Sequence, residues 1–182
     1  EEISDETCSL IQERKRFHYK KIITSGKIKL RSGVLRLINE LANKDIKQII
    51  VTTSGRESLD PFLNNSLNNY LCFFSEIITY EDVNNHKPFP DAYELAIRRS
   101  NNQYSNCLVI EDSTIGVEAA KAAKLKCLLT LPPWSSAIND ITKKADACVD
   151  RLGCMNNPSK LIYGQPLITD KVDFDYLSKI IN

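Results

Sequence analysis

The chain has 182 residues, 42% of them apolar and 26% charged, with a formal net charge of +1, which suits one globular domain with its own core. Positive and negative residues are mixed, with no basic stripe for nucleic acid and no acidic block, and no apolar run approaches the ~20 residues that span a bilayer. The six cysteines (Cys8, Cys72, Cys107, Cys127, Cys148 and Cys154) include no C-x-x-C pair, which argues against a zinc knuckle or redox motif and for reduced core thiols in the cytoplasm or an organelle stroma.

The elements follow from apolar spacing. Glu6 to about Thr24 is polar and helical in character, with a loose apolar face of Leu10, Ile11, Phe17, Ile22 and Ile23 and a stop at Ser25-Gly26. Val34, Leu37, Ile38 and Leu41 recur at helical spacing after Gly33. Gln48-Ile49-Ile50-Val51 is a short buried strand running into Thr52-Thr53-Ser54-Gly55, and Leu59, Phe62, Leu63 and Leu67 mark a helix with Pro61 in its first turn. Glu76-Ile77-Ile78 forms a short strand. His86-Lys87-Pro88-Phe89-Pro90 is expected to be extended, and Asp91–Arg99 helical. Cys107–Ile110 and Cys127–Leu129 are buried strands, in which Cys107 and Cys127 act as small hydrophobes, flanking an Ala-rich helix from Gly116 to Ala123. Ala145–Val149 is a short fourth strand. Apolar strands alternating with helices predict a doubly wound parallel sheet of Rossmann-like α/β type, covered on both faces.

Such sheets bind ligands beyond the carboxyl ends of their strands. One strand end delivers Thr52, Thr53 and Ser54, hydroxyls ahead of a helix that suit a phosphate, although an ordinary polar turn has the same composition. Another delivers Glu111-Asp112, hard oxygen ligands suited to Mg²⁺, although Asp112 or Ser113 can also be a helix cap. Lys87, braced by Pro88 and Pro90, is placed to meet a phosphate as a point charge, though most lysines are solvated surface residues. Trp134, following Pro132-Pro133, packs into the core or borders the crevice.

In this order, Thr52 with its hydroxyl loop, Lys87 in K-P-F-P-D-A-Y and Glu111-Asp112 in V-I-E-D-S-T-I-G resemble the second, third and fourth motifs of the haloacid dehalogenase superfamily. The resemblance is to the branch of β-phosphoglucomutases and CbbY-type sugar phosphatases, and runs from about Leu10 to Gly153. Glu13-Arg14-Lys15, with Tyr19, Gly26, Leu30, Arg31 and Gly33, resembles the end of that branch's helical cap and its return to the core. It implies residues 1–26 as cap end and hinge and 27–182 as α/β core. It also implies catalytic roles for Thr52 and Lys87, phosphate or substrate contact by Thr53, Ser54 and Lys15 (a solvated helix face being the other reading of Lys15), and Mg²⁺ held by Glu111 and Asp112. The expected partner is a small phosphorylated metabolite, a sugar phosphate first, with neither nucleic acid nor membrane involved. The activity implied is a phosphatase; a sugar-phosphate mutase and a non-catalytic phosphate-binding module are the alternatives.

Members of this superfamily attack phosphorus with the first Asp of an Asp-x-Asp on the central strand, the second Asp serving as acid/base. Here Asp-x-Asp occurs once, at Asp173-Phe174-Asp175, where Tyr176, Leu177 and Ile180 point to a terminal helix. The opening Glu1-Glu2 and this gap lead to the expectation of a portion of a larger protein, with two strand edges unpaired and a slot through the core between Thr52 and Glu111. The superfamily usually has Gly where Lys124 stands; a left-handed lysine there costs about 1 kcal/mol relative to Gly.

Overall fold

The alternation of apolar strands and amphipathic helices yields two groups of parallel strands sharing helices on both faces. A computed structural model describes residues 4–134 and 142–182. In chain order these form α1 (Asp5–Thr24), α2 (Val34–Ala42), β1 (Gln48–Val51), α3 (Arg56–Ser66), β2 (Phe74–Ile78), α4 (Asp91–Ser100), β3 (Leu108–Glu111), α5 (Thr114–Ala122), β4 (Lys126–Thr130), β5 (Ala147–Val149), β6 (Leu161–Tyr163) and α6 (Phe174–Ile181). β1 pairs with β2, in parallel. β3, β4 and β5 pair in parallel, and β6 adds an antiparallel edge.

Side-chain alternation explains the covering layers. In β4, Cys127 and Leu129 pack toward Tyr93, Ile97, Val117 and Ala120 of α4 and α5, whereas Leu128 packs toward Leu37 of α2 and Tyr176, Leu177 and Ile180 of α6. In β1, Ile49 and Val51 face Ala92 and Ala96 of α4, and Ile50 joins Ile38 of α2 and Leu59 and Leu63 of α3. Helices α2 and α4 therefore pack against both strand groups, one over each face. Each fully buried leucine contributes about 1.5–3 kcal/mol of apolar transfer.

Two arginines tie the α2 region to distant strand ends. Arg31 donates to the Thr130 carbonyl at 3.3 Å, to Thr130 Oγ1 at 3.2 Å and to the Asp150 carbonyl at 2.8 Å. Arg36 donates to the carbonyls of Gly153 and Leu152, each at 3.1 Å, and to that of Val172. Between them Gly33 has φ +88°, and a Cβ there would lie 2.5 Å from the Gly153 carbonyl oxygen, so only glycine permits this approach.

Several expectations are corrected. α3 begins at Arg56, so Pro61 lies inside it rather than in its first turn; the helix starts early because the Glu81 carboxylate accepts the Arg56 N–H at 3.0 Å, acting as a cap from outside the helix. The 86–90 segment is a turn, not an extended run: the Phe89 N–H donates to the His86 carbonyl at 3.0 Å, and the Lys87–Pro88 peptide is cis. Trp134 is 86% exposed and packs into no core. Cys127 and Cys148 are buried, but Cys8 and Cys72 are exposed, so the thiols are not uniformly core residues. Asp173 caps α6, accepting the Tyr176 N–H at 2.9 Å, which accounts for the only Asp-x-Asp. No helix among the described residues is long and apolar enough to cross a membrane.

Lys124 follows α5 with φ +58° and is exposed. Lys124→Gly is therefore expected to raise stability by about 0.5–1 kcal/mol, read from the midpoint of urea unfolding at unchanged slope.

Candidate active site between two strand ends

The strands β1 and β3 border one cleft of about 1130 Å³, lined along its length by Ile49, Ile50, Leu108 and Ile110 and at its mouth by Thr52, Thr53, Lys87, Glu111 and Asp112. The edges of β1 and β3 on this side have no strand partner among the described residues. The mouth lies at the carboxyl ends of both strands, where open α/β sheets place their ligands.

β1 leads directly into Thr52, whose N–H still pairs with the Ile78 carbonyl at 2.9 Å. Thr52 Oγ1 accepts the Ser54 N–H at 3.1 Å, which folds the loop back and leaves the hydroxyl proton free to donate. Thr53 is exposed on the cleft wall, whereas Ser54 is half-buried and accepts the Tyr80 N–H at its carbonyl, at 3.3 Å.

Lys87 joins the two strand ends. Its ammonium donates to the Val51 carbonyl at 3.1 Å and to Glu111 Oε1, and both side chains of this ion pair are only 7% exposed. Glu111 is held on all sides. Oε1 accepts Lys87 and the Tyr93 hydroxyl, and Oε2 accepts the Ser113 hydroxyl at 3.1 Å and the Asp112 N–H at 3.3 Å. A carboxylate has about four acceptor sites, so Glu111 is saturated. Burial first, and then the Glu111 charge, push the Tyr93 hydroxyl well above its ordinary pKa, which keeps it a donor.

Ser113, not Asp112, caps α5 by accepting the Gly116 N–H at 3.1 Å. Asp112 is consequently exposed, and its carboxylate has no hydrogen bond or ion pair among the described residues. No group of three His, Cys, Asp or Glu side chains able to enclose a metal ion occurs among the described residues. Mg²⁺ ordinarily takes one or two carboxylates and completes its shell with phosphate oxygens and water, so the free Asp112 fits that ion. Glu111, beside Asp112, is the counter-ion of Lys87.

The structure thus brings together Thr52, Thr53, Lys87, Glu111 and Asp112, and leaves Ser54 outside the cleft wall. Lys15 lies on the exposed surface of α1 and does not line the cleft. Tyr93 and Gly116 lie within the motif strings, but sequence reasoning gave neither a role. The latter had a signal, a glycine inside a helix, which often marks a close approach. A Cβ at Gly116 would fall 1.9 Å from Glu111 Oε2.

The resemblance carried by the motif strings agrees with the comparisons. The family model for haloacid dehalogenase-like hydrolases matches residues 2–130. The chain belongs to the haloacid dehalogenase-like hydrolase family. Among curated relatives it is 31% identical over 132 residues to the CbbY protein of Cupriavidus necator, covering 72% of this chain and 52% of the relative. It is 35% identical over 120 residues to the phosphorylated carbohydrates phosphatase of Thermotoga maritima, covering 65% of this chain and 54% of that protein. A haloacid dehalogenase-like hydrolase domain-containing protein of Arabidopsis thaliana is 32% identical over 135 residues, 71% of this chain and 40% of the relative. The chain thus spans about half the length of these relatives or less. The crystal structure of CbbY from Rhodobacter sphaeroides with xylulose-(1,5)bisphosphate superposes with a TM-score of 0.73 at 24% identity, covering 85% of this chain and 70% of that one, and places the chain in the family's Rossmann-like α/β fold.

Because the Glu111 carboxylate fills the space beside Gly116, Gly116→Ala is expected to destabilise the family core by about 1–3 kcal/mol, the usual cost of overpacking, measured by denaturant unfolding.

Proposed function

We propose that the chain forms the phosphate- and metal-handling part of an Mg²⁺-dependent phosphatase acting on small phosphorylated sugars. The observation that carries this reading is the meeting of a free threonine hydroxyl, a buried lysine ammonium and an unpaired aspartate at the ends of two strands flanking one cleft. The phosphatase name of the Thermotoga maritima relative supports it over a mutase.

An ammonium has three protons. Two of those on Lys87 go to Val51 and Glu111, and the third is directed to a phosphoryl oxygen. The Thr52 hydroxyl donates to a second such oxygen, with Thr53 beside it on the cleft wall. Phosphoryl transfer depends mainly on such positioning and charge stabilisation. Asp112 would hold Mg²⁺, which supplies charge neutralisation at the phosphate when bound. The nucleophile is an aspartate at the carboxyl end of a parallel strand seated between β1 and β3. It attacks phosphorus as the ester P–O bond breaks, a second acidic side chain protonates the leaving alcohol, and water then releases phosphate. Lys15 and the exposed α1 belong to the cap side of this arrangement, residues 1–26, with 27–182 as core. The cytoplasm or an organelle stroma suits its free cysteines.

The test is phosphate release from a panel of sugar phosphates, including xylulose-1,5-bisphosphate, by the full-length protein. Release should require Mg²⁺ and cease with EDTA. Lys87→Ala and Asp112→Asn should each lower kcat by roughly 10²–10³-fold, the scale for losing one preorganised charge partner. Metal-independent release, or full activity in Asp112→Asn, would contradict the assignment. Phosphate binding without release would favour the non-catalytic reading.

A further inference from the structure

The buried Lys87–Glu111 pair poses a chemical problem. A lysine clamped too tightly by one carboxylate has little freedom to follow a phosphoryl group, whereas one left unclamped moves off its line. Tyr93, the third residue of α4 and 4% exposed, touches both members of the pair. Its hydroxyl donates to Glu111 Oε1, the same oxygen that accepts Lys87, and the Lys87 Nζ lies 4.8 Å from the centre of its ring. We infer that Tyr93 is a positioning residue for the reaction proposed above, holding Glu111 with its hydroxyl and Lys87 with its ring so that one ammonium proton faces the cleft.

The geometry gives each part a separate task. The hydroxyl occupies one of the four acceptor sites on Glu111 and shares Oε1 with the lysine, which weakens the grip of that oxygen on the ammonium without releasing it. The ring face attracts the cation through its quadrupole, and does so more strongly in a site this dry. Ser113 and the Asp112 N–H fix the other carboxylate oxygen, so Glu111 cannot rotate to follow the lysine. Tyr93 is itself anchored among Ile97, Val109 and Val117, on the helix that packs against both strand groups. Tyr93 also lines the cleft, but its hydroxyl is committed to Glu111 and its ring face to Lys87, so its effect on the reaction passes through these two residues.

This inference rests on the proposed phosphatase reading, and the experiment separates the two. In the full-length protein, Tyr93→Phe keeps the ring and removes only the hydroxyl. It should lower kcat at least fivefold with KM within twofold. Glu111→Gln should lower kcat further, and the double variant should lose no more than Glu111→Gln alone, because both changes act on one unit. Additive losses, or an unchanged kcat in Tyr93→Phe, would overturn the inference. A second readout needs no activity: the Lys87 ammonium should give a slowly exchanging ¹H–¹⁵N signal, assigned by its loss in Lys87→Arg. Its exchange should quicken at least fivefold in Tyr93→Phe and more in Tyr93→Leu, where the ring is also lost. If the unmodified protein releases no phosphate, the proposed function fails, and the ammonium exchange still decides the positioning role. Exchange unaltered by either tyrosine variant would refute it.

Discussion

The ammonium of Lys87 is where the two halves of the molecule meet. It bonds the last carbonyl of β1 and the carboxylate that ends β3, two strands that do not bond each other. Both charges of the pair are almost fully removed from water. Taking ions out of water costs several kcal/mol each, recovered only when every donor and acceptor is matched. Here the match is complete on the carboxylate side, where Glu111 uses four acceptor positions and its backbone carbonyl accepts the Thr130 hydroxyl at 3.2 Å, while Lys87 bonds with two of its three ammonium protons. Removing one partner from such a pair typically costs about 3–5 kcal/mol, because the other is left buried and alone. A group of residues so costly to assemble at a ligand-binding edge is more economically explained by chemistry than by stability.

Everything else holds this pair in register. Helices α2 and α4 pack against β1 on one side of the cleft and against the β3–β5 group on the other, so the cleft walls are fixed from both faces. Arg31 and Arg36 bind strand-end carbonyls to the segment that enters α2, and Gly33 lets that segment approach Gly153. At the mouth, short polar turns finish the work. Thr52 folds its loop through the Ser54 N–H, and Ser113 begins α5 while bracing Glu111. The Ser113 cap leaves Asp112 free, which gives the site one unpaired carboxylate beside one paired carboxylate. Two adjacent acids thus sit in different surroundings, one fully hydrogen-bonded and one exposed.

Much of this was legible in the sequence where a signal is local. β1 falls on the residues its apolar run marked, and α1, α2, α4 and α6 follow their periodicity to within a residue or two. Thr52 and Glu111-Asp112 stand out by type and by their place after strands, and Lys87 by the prolines that brace it. What escaped was non-local. Glu81 caps α3 from another turn, so the helix begins before its apolar pattern does. β6 alternates between exposed and half-buried residues at a sheet edge, and its apolar run of three residues, Leu161-Ile162-Tyr163, is too short to mark a strand by itself. Tyr93 stands in the K-P-F-P-D-A-Y string without a role, because only the fold places its ring beside Lys87 and its hydroxyl on Glu111. For the same reason the saturation of Glu111 was invisible: all four of its donors come from neighbouring residues or the preceding motif, but their directions depend on the strand end and the cap.

The central claim is that the ends of β1 and β3 form a single phosphoryl-binding centre. The most direct measurement is a crystal structure of the full-length protein with Mg²⁺ and beryllium trifluoride, a stable mimic of a phosphoryl group on an aspartate. The account predicts the fluoride mimic on an aspartate of a strand lying between β1 and β3, within hydrogen-bond distance of Thr52 Oγ1 and Lys87 Nζ, with Asp112 on the metal. A mimic bound elsewhere, with Thr52 and Lys87 making only the contacts they make here, would contradict it.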